Sequence, residues 1–189
     1  MIRIGILGGI GSGKSYVAKN FGYPIFDADF EVSKLYKKDK KIYNKLNKIL
    51  SNYIYSFPIN KNEVSRAILA NEHNLKKIVK IVHLEVRKKM NIFLRKNRNK
   101  KIVILDIPLL LENKINNKKD VLVFVESKKK DILRRLKKRN NFNQRIYKNF
   151  QNIQLPLDYK KKKSKFIIKN DFTKKSVKRS IKNILSEIM

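Results

Sequence analysis

Short apolar runs alternate with stretches of helical spacing along most of this chain. Ile2–Leu7 (IRIGIL) is apolar and bounded by Gly8-Gly9, which predicts a buried strand. Gly13 to Phe21 continues as a helix, with Val17, Ala18 and Phe21 at helical spacing and Gly22 as a stop. Pro24 to Asp27 predicts a second short strand. Phe30 to Tyr36 and Ile42 to Leu50 carry helical spacing on either side of the charged stretch Lys37–Lys41. Ser51 to Asn62, with Pro58, is loop-like. Glu63 to about Lys96 is helical, with a break near Asn71–Asn74.

Lys101–Ile107 (KIVILDI) predicts a central strand ended by Pro108, and Val121–Val125 another. Ser127 is the expected N-cap of a basic helix running to Arg139. Asn140 to Asn143 breaks that helix, and a further one spans Gln144 to Asn152. Phe166–Ile168 is a last strand. Thr173 is placed to cap a C-terminal helix with Val177, Ile181, Ile184 and Ile188 on one face. Lys160–Lys163, the densest charge run, is expected to be a solvated segment. Strands buried on both faces and alternating with helices predict an α/β sandwich around a parallel sheet.

Composition narrows the class. The 189 residues suit one domain, and 42% hydrophobic residues suffice for a core. The absence of cysteine excludes disulfides and thiolate metal sites. The opening apolar run is too short for a signal peptide or a membrane span, so a soluble cytoplasmic protein with no membrane partner is expected. Lys+Arg number 47 against 15 Asp+Glu, a formal net charge of +32. Such charge suits polyanion binding. The lysines, however, occur in every segment together with excess asparagine and isoleucine, and they lack the aromatic interleaving of a single-strand binding surface. Compositional bias plus a phosphate-rich substrate accounts for them, and no specific nucleic-acid partner is expected.

The chemistry starts after the first strand. Gly8-Gly9-Ile10-Gly11-Ser12-Gly13-Lys14-Ser15 matches G-x-x-x-x-G-K-[ST] in full, between a predicted strand and a predicted helix. Glycines permit the backbone angles that let successive N–H groups curl around phosphate oxygens. Lys14 can reach the β- and γ-phosphates of ATP, and the Ser15 hydroxyl can ligate Mg²⁺. The nucleotide site is therefore expected at Gly9, Gly11, Ser12, Gly13, Lys14, Ser15 and Tyr16. No metal is expected beyond the Mg²⁺ that accompanies ATP.

The base-reading and switch motifs of guanine-nucleotide proteins are absent. Small size, a long helical stretch between the second and third strands and an Arg-rich helix point to a small-molecule kinase of the three-layer P-loop NTPase fold. Its core is expected at about 1–29, 99–136 and 164–189. A helical acceptor-binding insertion is expected at about 30–98, and a small lid at about 137–155. Asp27-Ala28-Asp29 follows the second strand, at the ligand-facing edge of an open parallel sheet. One of its carboxylates, Asp29, is the candidate base for an attacking hydroxyl.

These residues resemble the dephospho-CoA kinase family. The P-loop is similar to that family's at every position, Asp27-Ala28-Asp29 stands where it has Asp-Ala-Asp, and Pro108-Leu109-Leu110-Leu111-Glu112 resembles its Pro-Leu-Leu-x-Glu. Arg135 and Arg139 match its basic lid positions, and Gln154 falls at the family's spacing beyond them. The chain departs from the pattern at Tyr16 (Thr in the family), His83-Leu84 (His-Pro), Arg139-Asn140 (Arg-Asp) and Ser164-Lys165 (Ala-Asp). The resemblance implies phosphorylation of the ribose 3′-hydroxyl of dephospho-CoA by ATP, with Asp29 as the catalytic base. Lys14 and Arg139 are the charge-neutralising catalytic groups in this reading. Arg66, His83, Arg87 and Arg135 are candidate substrate contacts, with a solvated or structural role as the alternative for Arg66, Arg87 and His83. Competing readings are a nucleoside or nucleotide kinase with another acceptor and a nucleic-acid-binding P-loop NTPase.

Overall fold

All five apolar runs become strands of one parallel sheet in the computed structural model, which describes residues 1–138 and 142–189. Among the described residues the elements in chain order begin with β1 (Ile2–Gly8), α1 (Lys14–Asn20), β2 (Ile25–Asp27), α2 (Ala28–Lys38) and α3 (Lys40–Leu50). Next come α4 (Lys61–Ala70), α5 (Glu72–Lys96), β3 (Ile102–Asp106), β4 (Val121–Glu126) and α6 (Lys129–Lys137). The last are α7 (Gln144–Asn152), α8 (Leu157–Lys163), β5 (Phe166–Lys169) and α9 (Lys174–Ile188).

The chain divides into two compact units. One comprises Met1–Asp27, Leu94–Phe142 and Leu155–Met189; the other comprises Ala28–Phe93 and Asn143–Gln154.

The first unit holds the sheet, in the order β2-β3-β1-β4-β5. Register aligns Ile4 with Ile104 on one side and Val121 on the other, and Val123 with Phe166. Alternation along each strand therefore puts Ile4, Ile6, Ile102, Ile104, Val123, Val125 and Ile168 on one face. That face packs with Val17, Ala18 and Phe21 of α1 and Val177, Ile181 and Ile184 of α9 in a single apolar core. On the opposite face Gly5 leaves room for Leu110 and Leu122; a Cβ there would lie 2.6 Å from Leu110 Cδ2. The helix predicted from Thr173 forms as expected, with the Thr173 hydroxyl accepting from Ser176 N–H.

Two expectations are corrected in this unit. Ser127 is not the cap of α6: Lys128 holds that position without a side-chain bond, and the Ser127 hydroxyl is used elsewhere. The run Lys160–Lys163 is solvated only beyond its first residue. Those residues end α8, where Lys160 is 1% exposed and forms an ion pair with Glu112. The Glu112 carboxylate also accepts from Leu155 N–H at 3.0 Å. Local pattern could not show this, because four consecutive lysines carry no periodicity and only one of them turns inward.

The second unit is helical. Leu35, Ile42, Leu46, Leu50, Ile54, Ala67, Ile68, Leu75, Ile78, Val82 and Val86 are buried in it. The break expected near Asn71–Asn74 falls between α4 and α5, and Asn74 Nδ2 donates to Ala67 O across it. Asp39, Asn60 and Asn143 cap α3, α4 and α7 by accepting backbone N–H groups. α7 packs on α4, with Asn149 Nδ2 donating to Ile68 O. Glu63, 2% exposed, organises the preceding loop by accepting from Ser56 Oγ (2.6 Å), Tyr55 N–H (3.1 Å) and Ser56 N–H (3.3 Å).

Burial pushes the Glu63 carboxyl upward, but the Ser56 and Tyr55 hydrogen bonds and the nearby Arg66 charge outweigh it and hold it below its usual value. A depressed acid stabilises the fold above its unfolded-state pKa, and that stability is lost as pH falls through the folded value. Urea midpoints of wild type should therefore drop in acid more steeply than those of Glu63→Gln. Equal pH slopes would remove this role from Glu63.

For the buried pair, Lys160→Ala strands the Glu112 carboxylate and should cost about 3–5 kcal/mol, whereas Lys160→Met with Glu112→Leu should cost far less. Chemical denaturation of the single and double variants measures the difference.

Candidate active site

β1 delivers the chain to a loop whose geometry is set by close contacts. Gly8, Gly11 and Gly13 have φ of 143°, 80° and 92°. A Cβ at Gly8 would lie 2.6 Å from Val125 O, and one at Gly13 would lie 2.4 Å from Asn170 Nδ2. Lys14 is only 9% exposed, and its ammonium donates to Gly8 O at 3.1 Å and Gly9 O at 2.8 Å. The cation is thus held across the mouth of its own loop. Ser12 is buried, and its carbonyl accepts from Ser127 Oγ (2.9 Å) and Asn170 Nδ2 (2.8 Å). Tyr16, in the first turn of α1, is 39% exposed. Leu157 of α8 stands beside Gly9, 3.5 Å from where a Cβ would be.

Carboxylates meet this loop at the C-terminal edge of the sheet. Asp27 and Asp106 end β2 and β3 as register partners. Burial raises the Asp106 carboxyl above its ordinary value; a hydrogen bond from Ser15 and the Lys14 charge oppose that shift, and Asp27 adds to it. Ser15 hydroxyl and Asp106 carboxylate form a hard-oxygen pair that suits Mg²⁺. Among the described residues no cluster of three or more His, Cys, Asp or Glu could hold a metal by itself. These donors fit an ion that brings most of its ligands with it, as Mg²⁺ does with a nucleotide.

A cation–aromatic pair flanks the loop. The Arg135 guanidinium lies 4.3 Å from the centroid of Phe172, a residue at φ 66°. Such a conformation is costly for a bulky side chain and marks the turn after β5 as tightly constrained. Arg139 lies outside the described residues.

The other predicted residues fall in the helical unit. Asp29 lies in the first turn of α2, which begins directly at Ala28 rather than at Phe30 as the pattern suggested. Arg66 on α4 donates to the Tyr55 hydroxyl at 2.8 Å and lies over its ring. His83 and Arg87 are one turn apart on α5. Burial, aided by the Arg87 charge, lowers the His83 pKa and keeps the imidazole neutral near neutral pH. Its Nε2 is buried with no hydrogen-bond partner among the described residues. The structure thus groups residues 9–16 with Asp106 and Arg135 in one unit, and Asp29, Arg66, His83 and Arg87 in the other.

Sequence reasoning missed Ser127, Asn170, Phe172 and Leu157. Only Asn170 carried a usable signal: it follows the fifth strand at the edge where open α/β sheets bind ligands.

A glycine-rich phosphate loop rising from the middle strand of a 2-3-1-4-5 parallel sheet, with a lysine and a hydroxyl in place, defines a P-loop kinase. The match to known proteins is more particular. The profile of the family described as dephospho-CoA kinase covers residues 2–176, and the chain belongs to that family. It is 34% identical to the dephospho-CoA kinase of Wolbachia sp. subsp. Brugia malayi, over 98% of this chain and 97% of that one. It is 32% identical to the one from Bacillus thuringiensis subsp. konkukian, over 98% and 96%. A crystal structure from Thermus thermophilus superposes with a TM-score of 0.76 at 25% identity, covering 100% of this chain and 98% of that one. Among the described residues no helix is long and apolar enough to cross a membrane.

Because burial dominates at Asp106, its ionised form is disfavoured in the folded state. A raised acid favours the fold at low pH, and that advantage is lost as pH rises through its folded pKa. Asp106→Asn should accordingly raise Tm at neutral pH, by about 2–4 °C for each kcal/mol relieved. It should also lower turnover in an ADP-release assay, because it removes one of the two oxygen donors suited to Mg²⁺. A fall in Tm at neutral pH would show that the Ser15 and Lys14 contacts outweigh burial.

Proposed function

We propose that this chain transfers the γ-phosphate of ATP to the ribose 3′-hydroxyl of dephospho-CoA, forming CoA and ADP as the last step of coenzyme A synthesis. The observation that carries the reading is the assembled loop, with Lys14 spanning the Gly8 and Gly9 carbonyls and Ser15 beside Asp106. Membership of the dephospho-CoA kinase family supports the acceptor.

The backbone of Gly9, Gly11, Ser12, Gly13, Lys14, Ser15 and Tyr16 holds the phosphates. The Lys14 ammonium offsets charge on the β- and γ-groups. Ser15, backed by Asp106, would hold Mg²⁺, which supplies further charge neutralisation when bound. The Arg135–Phe172 pair offers a flat face for a purine base. Residues 30–98 receive the acceptor, with Arg66 and Arg87 on its phosphates and His83 as a neutral hydrogen-bonding group. Residues 137–155 are the lid in this reading, and Arg139 is its candidate for the transferring group, since a guanidinium can bind oxygens bidentately.

In the reaction the acceptor oxygen forms a bond to the γ-phosphorus as the bond to the β,γ-bridging oxygen breaks. Asp29 takes the hydroxyl proton, and ADP leaves. Most of the rate enhancement comes from positioning and charge neutralisation. The protein works in the cytoplasm, in keeping with its lack of cysteine.

ADP release should be stimulated by dephospho-CoA and not by nucleoside monophosphates or RNA. Asp29→Asn should lower kcat by about 10²–10⁴-fold while leaving ATP affinity intact. Stimulation by monophosphates alone would move the chain to another acceptor, and stimulation by RNA alone would make the positive charge the guide to function.

A further inference from the structure

The carbonyl of Ser12 is held by two side chains from distant segments. Ser127, in the connection between β4 and α6, donates to it at 2.9 Å, and Asn170, just past β5, donates at 2.8 Å. Both lone pairs of that oxygen are therefore used. The peptide that contains it is planar and trans, so the carbonyl of Ser12 and the N–H of Gly13 point in opposite directions. Drawing the oxygen toward Ser127 and Asn170 turns the Gly13 N–H away from both. Among the described residues no acceptor takes that N–H.

Asn170 is itself fixed. It is 3% exposed, its own N–H donates to Glu126 O at 2.7 Å, and its Oδ1 accepts from Phe172 N–H at 2.9 Å. One partner of the amide is a donor and the other an acceptor, so only one orientation satisfies both. The approach is so close that Gly13 cannot carry a side chain, since a Cβ would sit 2.4 Å from Nδ2. Through Phe172 the same residue is tied to the Arg135 stack.

We propose that Asn170, assisted by Ser127, is a positioning residue that aims the Ser12–Gly13 peptide so that the Gly13 N–H meets a phosphate of the nucleotide. It touches no substrate; it acts through Ser12, and it sets the phosphate loop and the base-stacking turn in a common frame. This rests on the nucleotide-binding reading given above.

A hydrogen bond to a charged group is worth more than a neutral one, so misaiming a phosphate contact should be felt by phosphate-bearing ligands alone. The test is calorimetric titration of ADP and adenosine into wild type, Asn170→Asp and Ser127→Ala. Asn170→Asp keeps the acceptor for Phe172 N–H and removes the donor to Ser12. Ser127→Ala removes the other donor without adding charge. ADP affinity should fall about 10-fold in Asn170→Asp and a few-fold in Ser127→Ala, with adenosine affinity within about twofold of wild type in both.

A purely structural role would weaken adenosine and ADP equally, and that result, or unchanged ADP affinity in both variants, overturns the proposal. Should Asn170→Asp fail to give a wild-type circular dichroism spectrum, Ser127→Ala decides by the same comparison. Wild type that binds neither ligand would instead bring down the nucleotide-binding reading, and this inference with it.

Discussion

The pairing of β1 on both of its edges is the constraint from which the rest of the site follows. With β3 on one side and β4 on the other, β1 has no freedom in direction or in where it stops. Its last residue passes so close to Val125 O that only glycine fits. The phosphate loop therefore springs from a rigid point. The same parallel register places Asp27 beside Asp106 at that edge, so Asp106 stands next to Ser15 and Lys14 without a dedicated element to carry it.

Much of this could be read in the chain, for a physical reason. Strands covered on both faces must be apolar throughout, so the five runs stood out, and the loop motif is bounded by elements that are themselves readable. What could not be read depends on tertiary contact. Nothing local distinguishes Lys160 from Lys161, yet one is buried against Glu112 and the other is paired with Glu126 near the surface. Ser127 had the composition and place of a helix cap, and its hydroxyl crosses to the phosphate loop instead. Asp29 stands out as a candidate, but its helical setting does not, because α2 starts as soon as β2 ends.

Charge placement in the interior obeys a stricter rule than charge on the surface. A chain with a net charge of +32 buries few ionic groups among its described residues, and each is answered. Lys14 spans two carbonyls, Lys160 meets a carboxylate, and Glu63 collects three donors. Asp106 is the least settled of them, since burial works against its ionised form. Strain of this kind is common where a protein prepares a site for a partner that brings its own charge.

The inward turn of Lys160 bears on how such a chain can evolve. Most lysines of so basic a chain lie where the surface tolerates many side chains, but Lys160 is a structural anchor. Substitution along this run is therefore not uniform in its cost. The neighbours of Lys160 can change one at a time with little penalty, whereas Lys160 and Glu112 can be replaced only together. An abundant residue is thus locally irreplaceable, and no count of lysines would disclose which one it is.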